Sequence, residues 1–187
     1  MRKLKVTELK RIDVRQFKAS DKTPLTVVLD DVRSMYNVGS VFRTADSFRL
    51  EKIMLCGITA CPPHPEIHKT ALGAELSMEW KKCENTIEAV NKLHEEGYEV
   101  YALEQVEHSV PLQNFKVEQG KKYALILGNE VKGVSQEAVN ICDGAIEIPQ
   151  FGTKHSMNVS VSGGIAIWQI AYMQSISRCE TLVNYSG

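Results

Sequence analysis

The chain has 187 residues, 43% of them apolar and 24% charged, with a formal net charge of −1. These are ordinary proportions for a globular protein and leave room for one domain with a sizeable core. No run of about twenty apolar residues occurs, so no membrane span is expected. The N-terminus MRKLKVTELKR lacks the apolar centre of a signal peptide, which points to the cytoplasm. Five cysteines, an odd number without any C-x-x-C, argue for reduced thiols rather than a disulfide framework.

The charge is unevenly spread. Residues 1–24 carry eight Lys and Arg against three acids, a net of +5, which leaves −6 for the rest. A basic arm of this kind supplies phosphate contacts or is simply a solvated helix face, and charge alone leaves both readings open.

Within the arm, residues 4–19 place Leu9, Ile12 and Val14 or Phe17 at loosely helical spacing. Residues 25–29 (LTVVL) read as a first buried strand, with Asp30 and Asp31 at its carboxyl end. A loop over 33–37 leads into a helix over about 38–48. Gly39, near that helix start, allows close approach of a ligand or of the sheet. Residues 52–56 (KIMLC) form a second strand, and the three prolines from 61 to 65 exclude regular structure. A helix over 66–76 and a short strand over 78–82 follow. Residues 86–96 make an amphipathic helix with Ile87, Val90 and Leu93 on one face and Gly97 as its stop. The strand 98–103 (YEVYAL) opens onto a long loop, 104–118, of a length that often covers a site.

Two further apolar runs, 123–127 and 145–148, each end in a polar loop, 128–133 and 149–158, and each loop is followed by a helix-period segment. The last helix runs from Asn158 to about Ser177. Strands alternating with helices imply an α/β parallel sheet of roughly six strands. In such sheets ligands bind beyond the carboxyl ends of the strands, where both polar loops fall. Ser156 and Asn158 are candidate helix caps or candidate site residues. There is no G-x-G-x-x-G after the first strand, so the usual dinucleotide fingerprint is missing. Cys56, Cys61, His64 and His68 have spacings a zinc site can use, but they match no common finger and Cys56 closes an apolar strand; no metal is expected.

Three stretches carry a resemblance. Asn37-Val38-Gly39-Ser40-Val41-Phe42-Arg43-Thr44-Ala45, LGNEVKG at 127–133 and IEIPQFGTKHSMNVSVSGGIAIW at 146–168 resemble, in order, the three motifs of the SpoU/TrmH family. These are S-adenosylmethionine-dependent RNA 2′-O-ribose methyltransferases of the SPOUT superfamily. The match covers about residues 25–173. It implies a parallel-sheet SPOUT fold with a C-terminal deep trefoil knot, which patterning alone never reveals. The chain would then divide into a basic arm (1–24), a methyltransferase domain (25–178) and a tail (179–187).

The resemblance also implies a set of site residues. S-adenosylmethionine would sit among three loops, held by Leu103 and Glu104, by Gly128, and by Ile148 and Met157. On residue type alone Ile148 and Met157 would be core residues. Arg43 is the residue the family assigns to activating the ribose hydroxyl. Arginine is a poor base, so Arg43 reads first as a clamp on the target phosphate and on developing oxyanion charge. Service as the base itself requires a strongly perturbed site and stays open. Asn37 and Asn158 would orient loops and substrate, Glu130 would hold Arg43 or a loop amide or accept a proton, and Ser156 would contact substrate or support Arg43. Met157 replaces the family's frequent Leu, and His155 lies outside the motif.

The implied partner is RNA, with tRNA (a D-loop guanosine) ahead of rRNA, and the implied assembly is a homodimer packed through the knotted region. The apolar last helix, with Ile165, Ile167, Trp168, Ile170 and Tyr172, suits core or dimer burial. A non-catalytic RNA-binding protein of the same fold is the alternative. A methyltransferase acting on a small molecule or protein is a third reading, against which the basic arm speaks.

Overall fold

The computed structural model describes residues 1–9 and 11–183, with 6, 7 and 176–183 described by backbone alone. Alternation along the first strand, β1 (Thr23–Asp30), sets the layering. Leu25, Val27 and Leu29 face one side of the sheet and Val28 the other, all with no accessible surface. Burial on both faces is what a parallel sheet between two helix layers demands.

The remaining strands are β2 (Leu50–Cys56), β3 (Trp80–Cys83), β4 (Tyr98–Leu103), β5 (Val110–Pro111), β6 (Lys122–Leu127) and β7 (Gly144–Glu147). Together the seven form one sheet in the order β3-β2-β1-β6-β4-β7-β5, parallel throughout. One core layer joins this sheet to α2 (Met35–Ser47), α3 (Pro65–Ala71) and α7 (Val159–Val183), through Val38, Phe42, Ile67, Ala166 and Ile170. The opposite layer holds α5 (Thr86–Glu95) and α6 (Gln136–Ile141), through Ala89, Val90, Leu93 and Ala138. Gly39 serves the packing of α2 on α3: a Cβ there would lie 2.2 Å from the Ile67 carbonyl oxygen.

Several elements differ from the sequence expectation. The arm is two short helices, a 3-10 turn Val6–Leu9 and α1 (Val14–Ala19), and α1 is closed by an Asp13/Gln16 capping box. Of the apolar residues expected to anchor it, only Phe17 is buried; Leu9, Ile12 and Val14 are exposed. The helix expected over 66–76 breaks at Leu72 and Gly73, both with positive φ, and resumes as α4 (Ala74–Ser77). The seventh strand, β5, lies inside the long loop and adds to β7. Helix α7 runs to Val183, past its expected end near 177. Residues 184–187 of the expected tail lie outside the described residues.

Candidate active site

Because every strand points the same way, the segments leaving β1, β4, β6 and β7 emerge on one edge of the sheet. Between the last three lies a cleft of about 300 Å³, within the range of small-molecule sites. Leu103, Glu104, Gly128, Ile148 and Met157 all line it, joined by Glu130 and Ser156. Its apolar wall is completed by Ile146 and Val159, and its charged groups are Glu104, Glu130 and Glu147 against Lys132. An excess of carboxylates suits a cationic ligand such as a sulfonium and disfavours a polyphosphate.

The loop after β6 is shaped from within and from without. The Asn129 side chain accepts the N–H groups of Val131 (2.9 Å) and Lys132 (3.1 Å) and donates to the Asp31 carbonyl (2.7 Å). The Glu104 carboxylate accepts the Val134 N–H at 3.0 Å and its neighbour Gln105 N–H at 2.9 Å. Gly133 has φ +70°, and a Cβ there would sit 2.1 Å from a Glu104 oxygen. Only glycine meets both conditions. Gly128 is constrained by space alone, with its Cβ position 2.2 Å from the backbone of residues 133 and 134.

Glu130 leans out of this loop onto the start of α2. Its carboxylate accepts the N–H groups of Arg33 and Ser34, each at 2.9 Å, and the Asn37 amide, also at 2.9 Å. Burial pushes its pKa up, but these three donors outweigh burial together and hold it below the ordinary value. The Asn37 side-chain oxygen in turn accepts from the Asn158 amide at 3.2 Å. Asn158 is also the cap of α7, accepting the N–H groups of Ser160 (3.0 Å) and Val161 (3.3 Å). Glu130, Asn37 and Asn158 thus form one chain of hydrogen bonds linking three segments.

Arg43 stands apart. It is exposed on α2, does not line the cleft, and among the described residues its guanidinium makes no hydrogen bond or ion pair. Six residues beyond Asn37, it lies about 9 Å along the helix and about a third of a turn round from it. Ser156 is exposed at the cleft wall and does not cap α7. Sequence reading passed over Asn129 and Gln105. The first had a signal, since Asn opening a polar loop often bonds the backbone two residues on; Gln105, which donates to the His155 carbonyl at 3.1 Å, had none.

The residues weighed for zinc have other partners. His64 caps α3 by accepting the Glu66 N–H at 3.2 Å, His68 pairs with Glu75 at 2.5 Å, and Cys56 is buried beside Cys83 in the β2–β3 register. Among the described residues no group of three or more metal-ligating side chains occurs, and no helix is long and apolar enough to cross a membrane.

Residues 24–168 match the model of the SpoU rRNA Methylase family. The tRNA (guanosine(18)-2′-O)-methyltransferase of Thermus thermophilus is 29% identical over 163 residues, 87% of this chain and 82% of that one. The 23S rRNA (guanosine-2′-O-)-methyltransferase RlmB of Vibrio parahaemolyticus is 27% identical over 87% of this chain, which spans only 64% of the longer protein. Among solved structures, the AdoMet-bound rRNA methyltransferase from Sinorhizobium meliloti superposes with a TM-score of 0.75 at 25% identity, over 83% of this chain and 59% of that one. The A. aeolicus TrmH/SpoU tRNA modifying enzyme gives 0.76 at 23% identity, over 88% and 83%, a likeness of fold.

Proposed function

The chain belongs to the SpoU rRNA Methylase family, and from that premise we propose that it transfers a methyl group from S-adenosylmethionine to the 2′-hydroxyl of a ribose in RNA, with a tRNA guanosine as the substrate. One observation carries this reading. Residues 103, 104, 128, 148 and 157, distant in sequence, line one cleft with an excess of carboxylates. The chain is similar to the Thermus tRNA enzyme over most of both lengths, and that likeness favours tRNA.

S-adenosylmethionine supplies an activated methyl and a neutral thioether as leaving group, so the protein has only to position the hydroxyl and manage its charge. Leu103, Ile148 and Met157 offer apolar cover for an adenine, and the backbone around Gly128 offers polar groups for its edge. The Glu130–Asn37–Asn158 chain fixes the three segments around the cleft. Arg43 binds the phosphate beside the target ribose and stabilises charge developing on its oxygen, a role supported by its exposed guanidinium, which has no partner among the described residues.

The reading includes a knotted C-terminal region and a homodimer in which Arg43 reaches the partner's cleft, which accounts for its distance from the cleft in its own chain. It also includes a basic arm over 1–24 that contacts RNA phosphates, and a cytoplasmic location. The test is transfer of labelled methyl from S-adenosylmethionine to purified tRNA and, separately, rRNA, by wild type and Arg43→Ala. Incorporation into tRNA that is lost in the variant supports the proposal. Incorporation into rRNA alone moves the substrate, and absence of cofactor binding ends the reading.

A further inference from the structure

The wall of the cleft nearest solvent is the segment joining β7 to α7. It contributes Gln150, His155, Ser156 and Met157 to the lining, yet residues 151–156 are all exposed. Its far end is secured, because Asn158 caps α7 and bonds Asn37. In between, residues 149–157 make a single hydrogen bond to any described residue, the 3.1 Å bond from the Gln105 amide to the His155 carbonyl. Apolar packing does not replace the missing bonds at the tip, where Phe151 is 96% exposed.

Gln105 is itself well placed to hold something. Its N–H is taken by the Glu104 carboxylate, whose other oxygen holds Val134 in the loop after β6. Two consecutive residues at the end of β4 therefore tie all three loops of the cleft. Glu104 reaches the second loop and Gln105 the third.

Resting on the methyltransferase reading, we propose that Gln105 is a positioning residue, whose side-chain amide fastens the 149–157 segment over the cofactor cleft and so sets affinity for S-adenosylmethionine. Gln105 itself lines the cleft, but its side-chain amide is committed to the His155 carbonyl, so it acts through the segment it holds. A tie that keeps one wall of the cleft in place serves the cofactor equally before and during transfer, so its loss weakens binding without slowing chemistry. Because Gln105 is exposed, its replacement leaves the core unchanged.

The experiment uses the full chain with Gln105→Leu, which removes the donor, and Gln105→His, which keeps one. Two readouts are taken. In Gln105→Leu the KM for S-adenosylmethionine is expected to rise about two- to tenfold at unchanged kcat, the scale of one hydrogen bond, with Gln105→His close to wild type. Independently of catalysis, trypsin is expected to cut faster after the exposed Lys154 in Gln105→Leu, and saturating S-adenosylmethionine to slow that cut in wild type. Equal cleavage rates and equal KM in wild type and Gln105→Leu overturn the proposal, as does a loss confined to kcat. If wild type binds no S-adenosylmethionine, the functional reading fails instead, and the cleavage rates without cofactor still decide whether Gln105 holds the segment.

Discussion

Asn37 and Glu130 are 93 positions apart in the chain, and the Asn37 amide donates to the Glu130 carboxylate at 2.9 Å. Asn37 is 9% exposed, and its remaining oxygen accepts from Asn158. One amide therefore bridges the loop after β6 to the start of α7, donating on one side and accepting on the other.

Asn37→Ala leaves Glu130 one donor short and the Asn158 amide without an acceptor. Unmet polar groups of this kind cost about 1–3 kcal/mol, a fall of several degrees in Tm at this chain length. Displacement of the α7 start also disturbs the cleft, so methyl transfer is expected to fall at least about tenfold. Calorimetry and labelled-methyl incorporation measure the two effects. Asn37→Asp sets a second carboxylate against Glu130 and is expected to be worse on both counts.

Glu130 also predicts a pH dependence. Burial raises its pKa, but the Arg33, Ser34 and Asn37 donors together bring the folded value below the ordinary 4.5. The group thus favours the folded state fully above 4.5, and that contribution fades as the pH falls through the lower folded value. The Tm gap between wild type and Glu130→Gln should be widest near neutrality and close in acid, below the ordinary carboxylate range. A gap that stays constant from pH 7 to strongly acid conditions contradicts the assignment.

Gly133 and Gly120 both have positive φ, +70° and +81°, but differ in surroundings. At Gly120 a Cβ meets nothing within 4 Å, whereas at Gly133 it meets a Glu104 oxygen at 2.1 Å. Gly120→Ala therefore costs only the left-handed strain, about 1–2 kcal/mol, and leaves cofactor binding intact. Gly133→Ala adds a clash that forces Glu104 off the Val134 N–H, so cofactor affinity is expected to fall as well. Titration calorimetry with S-adenosylmethionine separates the two.

Much of this was legible in the sequence, and for physical reasons. Buried parallel strands read as apolar runs, so β1, β2 and β6 stood out, while β4 showed instead an alternation of buried and half-buried residues, and the polar loops after β6 and β7 marked the cleft. What escaped was non-local or too short for a pattern. Strand β5 is two residues whose pairing with β7 makes them a strand. The break at Leu72 rests on a non-glycine residue in left-handed geometry, which nothing in its side chain announces. That Glu130 would hold a loop amide was among the expectations, but which amides was not legible, because the N–H groups of Arg33 and Ser34 that it meets are ones any residue types would provide. Helical spacing offered Leu9, Ile12 and Val14 or Phe17 as an apolar face, and of these the short helices of the arm bury only Phe17.

The last prediction concerns the outer face of α7. Val161, Ile165, Trp168 and Tyr172 recur at helical spacing and are 53%, 39%, 50% and 50% exposed, with the Trp168 and Tyr172 rings stacked at 5.5 Å. A stripe of this kind is costly to leave in water, and in the proposed homodimer it would lie against the second copy of the chain. Trp168→Glu places a charge in its middle while facing solvent in the monomer, so the fold survives and association fails. Sedimentation should show a monomer with wild-type circular dichroism, and methyl transfer should be lost although Arg43 and every cleft residue are intact. Mixing Arg43→Ala with Glu130→Ala subunits tests the same geometry in reverse. Each is expected to be inactive alone, and exchange of subunits should restore part of the activity, because one site of the mixed dimer then has both its Arg43 and its Glu130. No recovery on mixing, with subunit exchange demonstrated, would place Arg43 in the cleft of its own chain.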